Sequence, residues 1–240
     1  MNHAACAPVI EASSESQRSG GSHLDCPNFD PLCGFYRWME LATFGPWLHW
    51  CRCAWIDRLA CCRRGLVLGD GDGRFTARFL LANADVTLDA VDASPAMLKT
   101  LLRRAGPHAA RVTAHAADAR LWQPSGEPYD LVVTHFFLDC LTTEEVRALA
   151  KMVRAFVCDE AVWVVSEFAI PENHYGRIVA RPLVAALYRA FGWLTGLAVR
   201  SLPEYANALG EAGFTLGERR TLLGGLLTSE VWSASRRSEP

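Results

Sequence analysis

LVLGDGDGRF, residues 66–75, is the stretch on which the reading of this 240-residue chain turns. Three apolar residues run into glycines at 69, 71 and 73, and helical periodicity begins near Arg74. Glycines at alternate positions let a strand turn at once into a helix, with the backbone pressed against a ligand. The dinucleotide fingerprint needs its last glycine where this chain has Arg74, so a nicotinamide cofactor is disfavoured.

On both sides of this turn, short apolar runs alternate with helical stretches. The runs are Leu66–Leu68, Val86–Val91, Arg111–His115, Leu131–His135 and Ala161–Ser166, with helices predicted at about 74–83, 95–105, 120–124 and 143–157. That rhythm predicts βαβ units and a parallel sheet. Near the C-terminus a short helix, Pro203–Ala212, precedes two strands, Phe214–Thr221 and Leu226–Ala234, which read as an antiparallel hairpin about Leu222-Leu223-Gly224-Gly225. Residues 28–64 are aromatic and helically spaced, with a break at Gly45-Pro46, and predict a two-helix module. Residues 1–27 are polar and rich in Ser, Gly and Ala, and read as a disordered tail.

Composition narrows the partners. Half the residues are hydrophobic, which demands a sizeable core, and 24 basic against 26 acidic residues imply no broad polyanion-binding surface. Nucleic acid is therefore not expected as a partner. The N-terminus shows no apolar signal region, and nine cysteines, an odd number, fit free thiols in a cytoplasmic setting. Cys51, Cys53, Cys61 and Cys62 invite a metal reading, but on a helix the first two point about 200° apart, so no metal is expected. The apolar segment Arg177–Val199 is interrupted by Arg181, Pro182 and Arg189; it falls short of a membrane span and reads as an interfacial or substrate-covering helix.

Two acidic residues follow the glycines in register with the strands. Asp92 closes the second apolar run about 20 residues past the turn, where a carboxylate can accept both hydroxyls of a ribose. Asp118 follows the third run and would lie beside Asp92 at the carboxyl edge of the sheet, where ligands bind in open α/β folds.

With glycine loop, Asp92 and Asp118 in that order, the chain resembles the class I S-adenosylmethionine-dependent methyltransferases from roughly Asn28 to Ala234. The resemblance implies a Rossmann-like α/β fold: a seven-stranded, mostly parallel sheet with a C-terminal antiparallel strand pair and an N-terminal helical lid. It implies a lid over 28–64 and a cofactor-binding domain over 65–235. It also implies S-adenosyl-L-methionine on Gly69, Asp70, Gly71 and Gly73, ribose on Asp92 with Ala93, and adenine on Asp118 with Ala119. Tyr36 in the lid and Thr134 and His135 after the fourth strand complete that expected set. Phe29-Asp30, Tyr36 and the Leu194–Phe214 segment look like the ubiquinone and menaquinone biosynthesis group. One departure stands out: the family usually has an acid two positions before the first glycine, and this chain has Val67. In that respect the loop resembles that of the aminopropyltransferases, which would use decarboxylated S-adenosylmethionine.

The acceptor side is less defined. Thr134, His135, Phe136, Asp139 and Cys140 fall where this fold presents acceptor-facing residues, without the Asp/Asn-Pro-Pro run of amino-methyltransferases acting on DNA. The His-Asp pair of plant O-methyltransferases is replaced by Leu138-Asp139, and Ser166-Glu167-Phe168 stands where metal-dependent enzymes carry Asp-Asn. His135, whose ordinary pKa lies near 6.5, is the candidate general base. Glu167 is the candidate acceptor-binding acid. His174-Tyr175 lies in the next loop as a weaker candidate. The expected acceptor is an apolar or aromatic small molecule, on account of the aromatic lid and the segment 177–199. The competing reading is a non-catalytic protein that binds the cofactor and works through its lid.

Overall fold

The computed structural model describes residues 10–12, 44–186, 189 and 202–236. The seven strands expected from the sequence form the sheet: β2 (Arg64–Leu68), β3 (Thr87–Asp92), β4 (Val112–Ala116), β5 (Tyr129–His135), β6 (Val157–Phe168), β7 (Phe214–Leu222) and β8 (Leu227–Ala234). An eighth, β1 (Ile10–Ala12), pairs in parallel with β4 and lies within the stretch 1–27 expected to be a disordered tail. The order across the sheet is β1-β4-β3-β2-β5-β6-β8-β7. The parallel strands run through β6; β8 is antiparallel to β6, and β7 is antiparallel to β8. Chain direction across the sheet reverses between β2 and β5, and the switch point falls where the glycine turn leaves β2.

Among the described residues, four helices cover the two faces. On one side α2 (Arg74–Ala82) and α3 (Pro95–Ala105) bury Phe75, Phe79, Leu98 and Leu101 against Val67, Ala90, Leu131 and Val133. Each fully buried Phe is worth roughly 2–3 kcal/mol. On the other side α4 (Thr143–Phe156) and α5 (Tyr205–Glu211) cover Leu66, Val132, Trp163 and Trp232. Local signals start these helices where the sequence says they should. Ser94 Oγ accepts the Met97 amide ahead of Pro95, and Thr142 with Glu145 forms a reciprocal capping box.

Two stretches differ from expectation. No helix forms over 120–124: the segment is a turn in which the amides of Leu121 and Trp122 bond to the Asp118 carbonyl. Pro124 has no N–H to carry it further. The described part of the stretch 28–64, expected to be a lid, holds the short helix α1 (Trp47–Arg52), followed by a 3-10 turn at Ile56–Leu59. The first predicted lid helix lies outside the described residues. So does most of 187–201, although 174–186 is helical with a π-turn at Gly176–Ala180. Among the described residues, no helix is long and apolar enough to cross a membrane.

Asn83 ties several of these pieces together, and no motif announces it. Buried at the end of α2, its amide donates to the carbonyls of Leu59, Ala60 and Cys62, while its Oδ1 accepts the amides of Asp85 and Val86. One side chain thus joins the lid's exit, the start of β2 and the turn into β3. Replacement by alanine strands several buried backbone groups at about 1–3 kcal/mol each. Asn83→Ala is expected to lower unfolding free energy by about 3 kcal/mol or more in urea denaturation, without changing the residues that line the carboxyl edge.

Candidate active site

The glycine turn leaves β2 with three positive φ angles, +67° at Gly69, +58° at Gly71 and +78° at Gly73. Each glycine has a different reason to be one. A Cβ on Gly73 would stand 2.6 Å from the Leu101 Cα, so α2 can start only if α3 passes within backbone reach. A Cβ on Gly69 would meet the Phe137 ring at 2.4 Å. Gly71 has nothing within 4 Å of that position, so its backbone faces open space at the carboxyl edge. Phe137, in the turn after β5, therefore closes over one end of the loop and leaves its middle free.

Asp70 points back into the protein. Its Oδ2 accepts the Thr76 amide at the start of α2, and Oδ1 is buried without a hydrogen-bond partner. Burial raises its pKa to about 6, opposed by the Thr76 bonds and by the Arg52 charge. Arg52, on α1, was not singled out by sequence reasoning. It is buried, its guanidinium lies 5.1 Å from the Phe136 ring centroid, and its charge reaches Asp70 and His135. The signal available was only its place in the aromatic lid.

Asp92 caps the exit from β3, its Oδ1 accepting the Ser94 amide at 2.9 Å, with Ala93 exposed beside it. Asp118 is positioned differently: both carboxylate oxygens are engaged by Arg120, which also reaches Glu145 at 2.5 Å. That bidentate pair holds Asp118 below the usual carboxylate range and links the β4 exit to the cap of α4. Ala119 is buried beneath it.

The β5 residues divide between the two faces. Thr134 accepts the Trp163 indole N–H at 3.0 Å within the core under α4, so its hydroxyl faces away from the glycine turn's neighbour Phe75. His135 lies on the opposite face, edge-on to Phe75 with centroids 4.7 Å apart. It is 3% exposed, and neither ring nitrogen has a hydrogen-bond partner. Burial, and secondarily Arg52, depress its pKa well below 6.5.

Glu167, near the end of β6, is 1% exposed. Its Oε1 accepts the amides of Phe137 and Leu138 at 3.2 and 2.8 Å, which fixes the 3-10 turn Leu138–Cys140 over the sheet edge. Burial, then the neighbouring Asp139, push its pKa well up. Burial likewise raises Asp139, to about 6. The structure thus brings Gly71, Asp92, Asp139 and Glu167 to one edge; His174 is exposed at the start of the helical stretch 174–186, and Tyr36 lies outside the described residues. Cys51 and Cys53 sit on opposite sides of the end of α1, and burial pushes their thiols up to about 12 and about 11. Among the described residues, no group of three or more His, Cys, Asp or Glu is arranged to hold a metal.

The glycines make separable predictions. Gly73→Ala forces α2 and α3 apart and is expected to lower the melting temperature sharply. Gly71→Ala meets only the left-handed backbone cost of about 1–2 kcal/mol, so it should stay folded while losing ligand binding at the edge. Thermal melts and calorimetry on the two variants check this.

Comparison with known proteins agrees with this geometry. Residues 66–157 match the family model described as a methyltransferase domain. A search of curated proteins by sequence finds no match. Among solved structures, an O-methyltransferase from Nostoc punctiforme shares 18% identity at a TM-score of 0.67, over 89% of this chain and 64% of that one. An O-methyltransferase family protein from Burkholderia thailandensis shares 18% at 0.64, over 85% and 59%. The N-methyltransferase NodS from Bradyrhizobium japonicum shares 15% at 0.53, over 87% of this chain and 100% of that one. The chain spans about three fifths of the length of the first methyltransferase structures it matches. From β2 to the start of β6, then, the chain is similar to a methyltransferase domain, and its fold is that of these methyltransferase structures.

Proposed function

We propose that the chain is an S-adenosylmethionine-dependent methyltransferase that acts on an apolar or aromatic small molecule by in-line methyl transfer. The observation that carries this reading is the open backbone at Gly71, between Asp92 on one side and the Phe137–Cys140 turn on the other. A flat nucleoside with an amino-acid tail fits such an edge. Asp92 would hold the ribose hydroxyls, Gly69–Gly73 would pass beneath the tail, and Arg52 would offer a cation to its carboxylate. Asp118 can meet an adenine amino group only while sharing its carboxylate with Arg120.

When bound, the cofactor supplies a methyl group on a sulfonium, already activated for displacement. What remains for the protein is alignment, worth up to ~7–11 kcal/mol, and exclusion of water. Phe44, Phe136 and Phe168 pack together beside α1, with centroid distances of 5.3 and 5.1 Å about Phe168, and would supply the apolar wall for an acceptor. His135, neutral and without a partner, would serve as a hydrogen-bonding group toward the cofactor's tail; its depressed pKa disfavours it as the base.

Val67 supports a second reading. It is 1% exposed and packed in the core, so the acid usual at that position is replaced by a group that cannot reach the cofactor's tail. The loop's likeness to that of the aminopropyltransferases makes decarboxylated S-adenosylmethionine the alternative donor, for aminopropyl transfer. Calorimetry separates the readings. The first expects S-adenosylmethionine and its demethylated product to bind, with a loss of about 10–100-fold in Asp92→Ala as charge-assisted hydrogen bonds disappear. Preference for the decarboxylated form would favour the second, and no binding of any form would overturn both.

A further inference from the structure

Beyond β5 and β6 the carboxyl edge carries more acid than the cofactor uses. Glu167 spends Oε1 on two backbone amides, and Oε2 is buried with no hydrogen-bond partner. Among the described residues, no lysine or arginine forms a salt bridge with it. Asp139 stands close enough to raise it electrostatically, and the Cys140 thiol donates to Asp139 Oδ1 at 3.5 Å. Cys140 feels Asp139, Glu167 and, more weakly, Asp92.

This arrangement is costly as it stands. A buried carboxyl oxygen without a partner forfeits about 1–3 kcal/mol, and the neighbouring Asp139 makes Glu167 harder still to ionise. Water at the edge, or a ligand, has to meet that demand. Glu230, the other buried acid nearby, makes the contrast: it is bound by Arg219 at 2.6 Å and by the Trp232 indole at 2.8 Å. The fold neutralises Glu230 with its own residues and leaves Glu167 to something else.

We infer that Glu167 and Asp139 form the recognition site for a protonated amine on the acceptor, making the acceptor class an apolar or aromatic amine. This rests on the methyltransferase reading above. The ammonium would donate to Glu167 Oε2 and give the pair one compensating charge. Phe136 and Phe168, on the other side of the edge, would take the apolar part of the molecule. The cofactor's own ammonium is the alternative source of the same chemistry.

The test uses the full chain saturated with S-adenosylhomocysteine, with benzylamine and benzyl alcohol as an isosteric charged and neutral pair, read by calorimetry at pH 7.5. The amine is expected to bind at least about tenfold tighter than the alcohol, equivalent to about 1.4 kcal/mol. Glu167→Gln keeps the acceptor oxygen for the two amides and should abolish most of that preference without changing the affinity for S-adenosylhomocysteine. Asp139→Asn should reduce it too, and carries the test if Glu167→Gln fails to fold. Equal binding of the two probes, binding of neither, or a preference that survives both substitutions would overturn the inference. So would a matching loss of S-adenosylhomocysteine affinity, which would assign the acids to the cofactor's ammonium. Absence of S-adenosylhomocysteine binding in the unsubstituted chain would instead strike the methyltransferase reading itself.

Discussion

The passage of the chain from β2 into α2, between Phe137 on one side and Leu101 on the other, is the constraint from which the rest of the molecule follows. Neither contact leaves room for a Cβ, at Gly69 or at Gly73. Because α2 starts immediately, Phe75 and Phe79 reach the core face of β2 and β5, and Asp70 can turn inward to the amide of Thr76. Because the Phe137 ring rests on Gly69, the turn after β5 is pinned to the loop after β2 across the switch point. Glu167 completes the assembly by holding that turn from β6. Three strands are locked at their carboxyl ends, and the open middle of the loop at Gly71 is what remains for a ligand.

The electrostatics at this edge are uneven in a way that suits a bound cation or polar ligand. Asp118 has Arg120 and Glu230 has Arg219, each within 2.6 Å. Asp70, Asp139 and Glu167 are instead raised by burial, and the charge of Arg52 on α1 opposes the rise at Asp70. Such groups are held in their positions by backbone amides, which cost nothing in charge balance. Perturbed acids gathered at the carboxyl edge of an open α/β sheet are a common mark of function.

Much of the fold was legible in the sequence because its signals are local. Strand periodicity, the Ser94-Pro95 start and the Thr142–Glu145 cap are read within a few residues, and the structure places them accordingly. The hairpin at the C-terminus was legible for the same reason. What was missed depends on partners far along the chain. Asn83 looks like an ordinary loop residue until Leu59, Ala60 and Cys62 are brought beneath it. Arg120 appeared as part of a short helix, whereas its bonds to Asp118 and Glu145 fold that segment into a turn. His135 reads as a titratable group from its ordinary pKa, and its burial beside Phe75, which depresses that pKa, shows only in the fold. At the site, the glycines and Asp92 were visible as spacing, while the pairing of Asp139 with Glu167 needed two strands set side by side.

Amide hydrogen exchange with and without S-adenosylhomocysteine tests the central claim most directly, because it reads the backbone of the turn itself. The account predicts that added ligand slows exchange at Gly71–Gly73, around Asp92–Ser94 and through Phe137–Cys140 together, since one ligand would lie across all three. Protection confined to other surfaces, or none at saturating ligand, would contradict it.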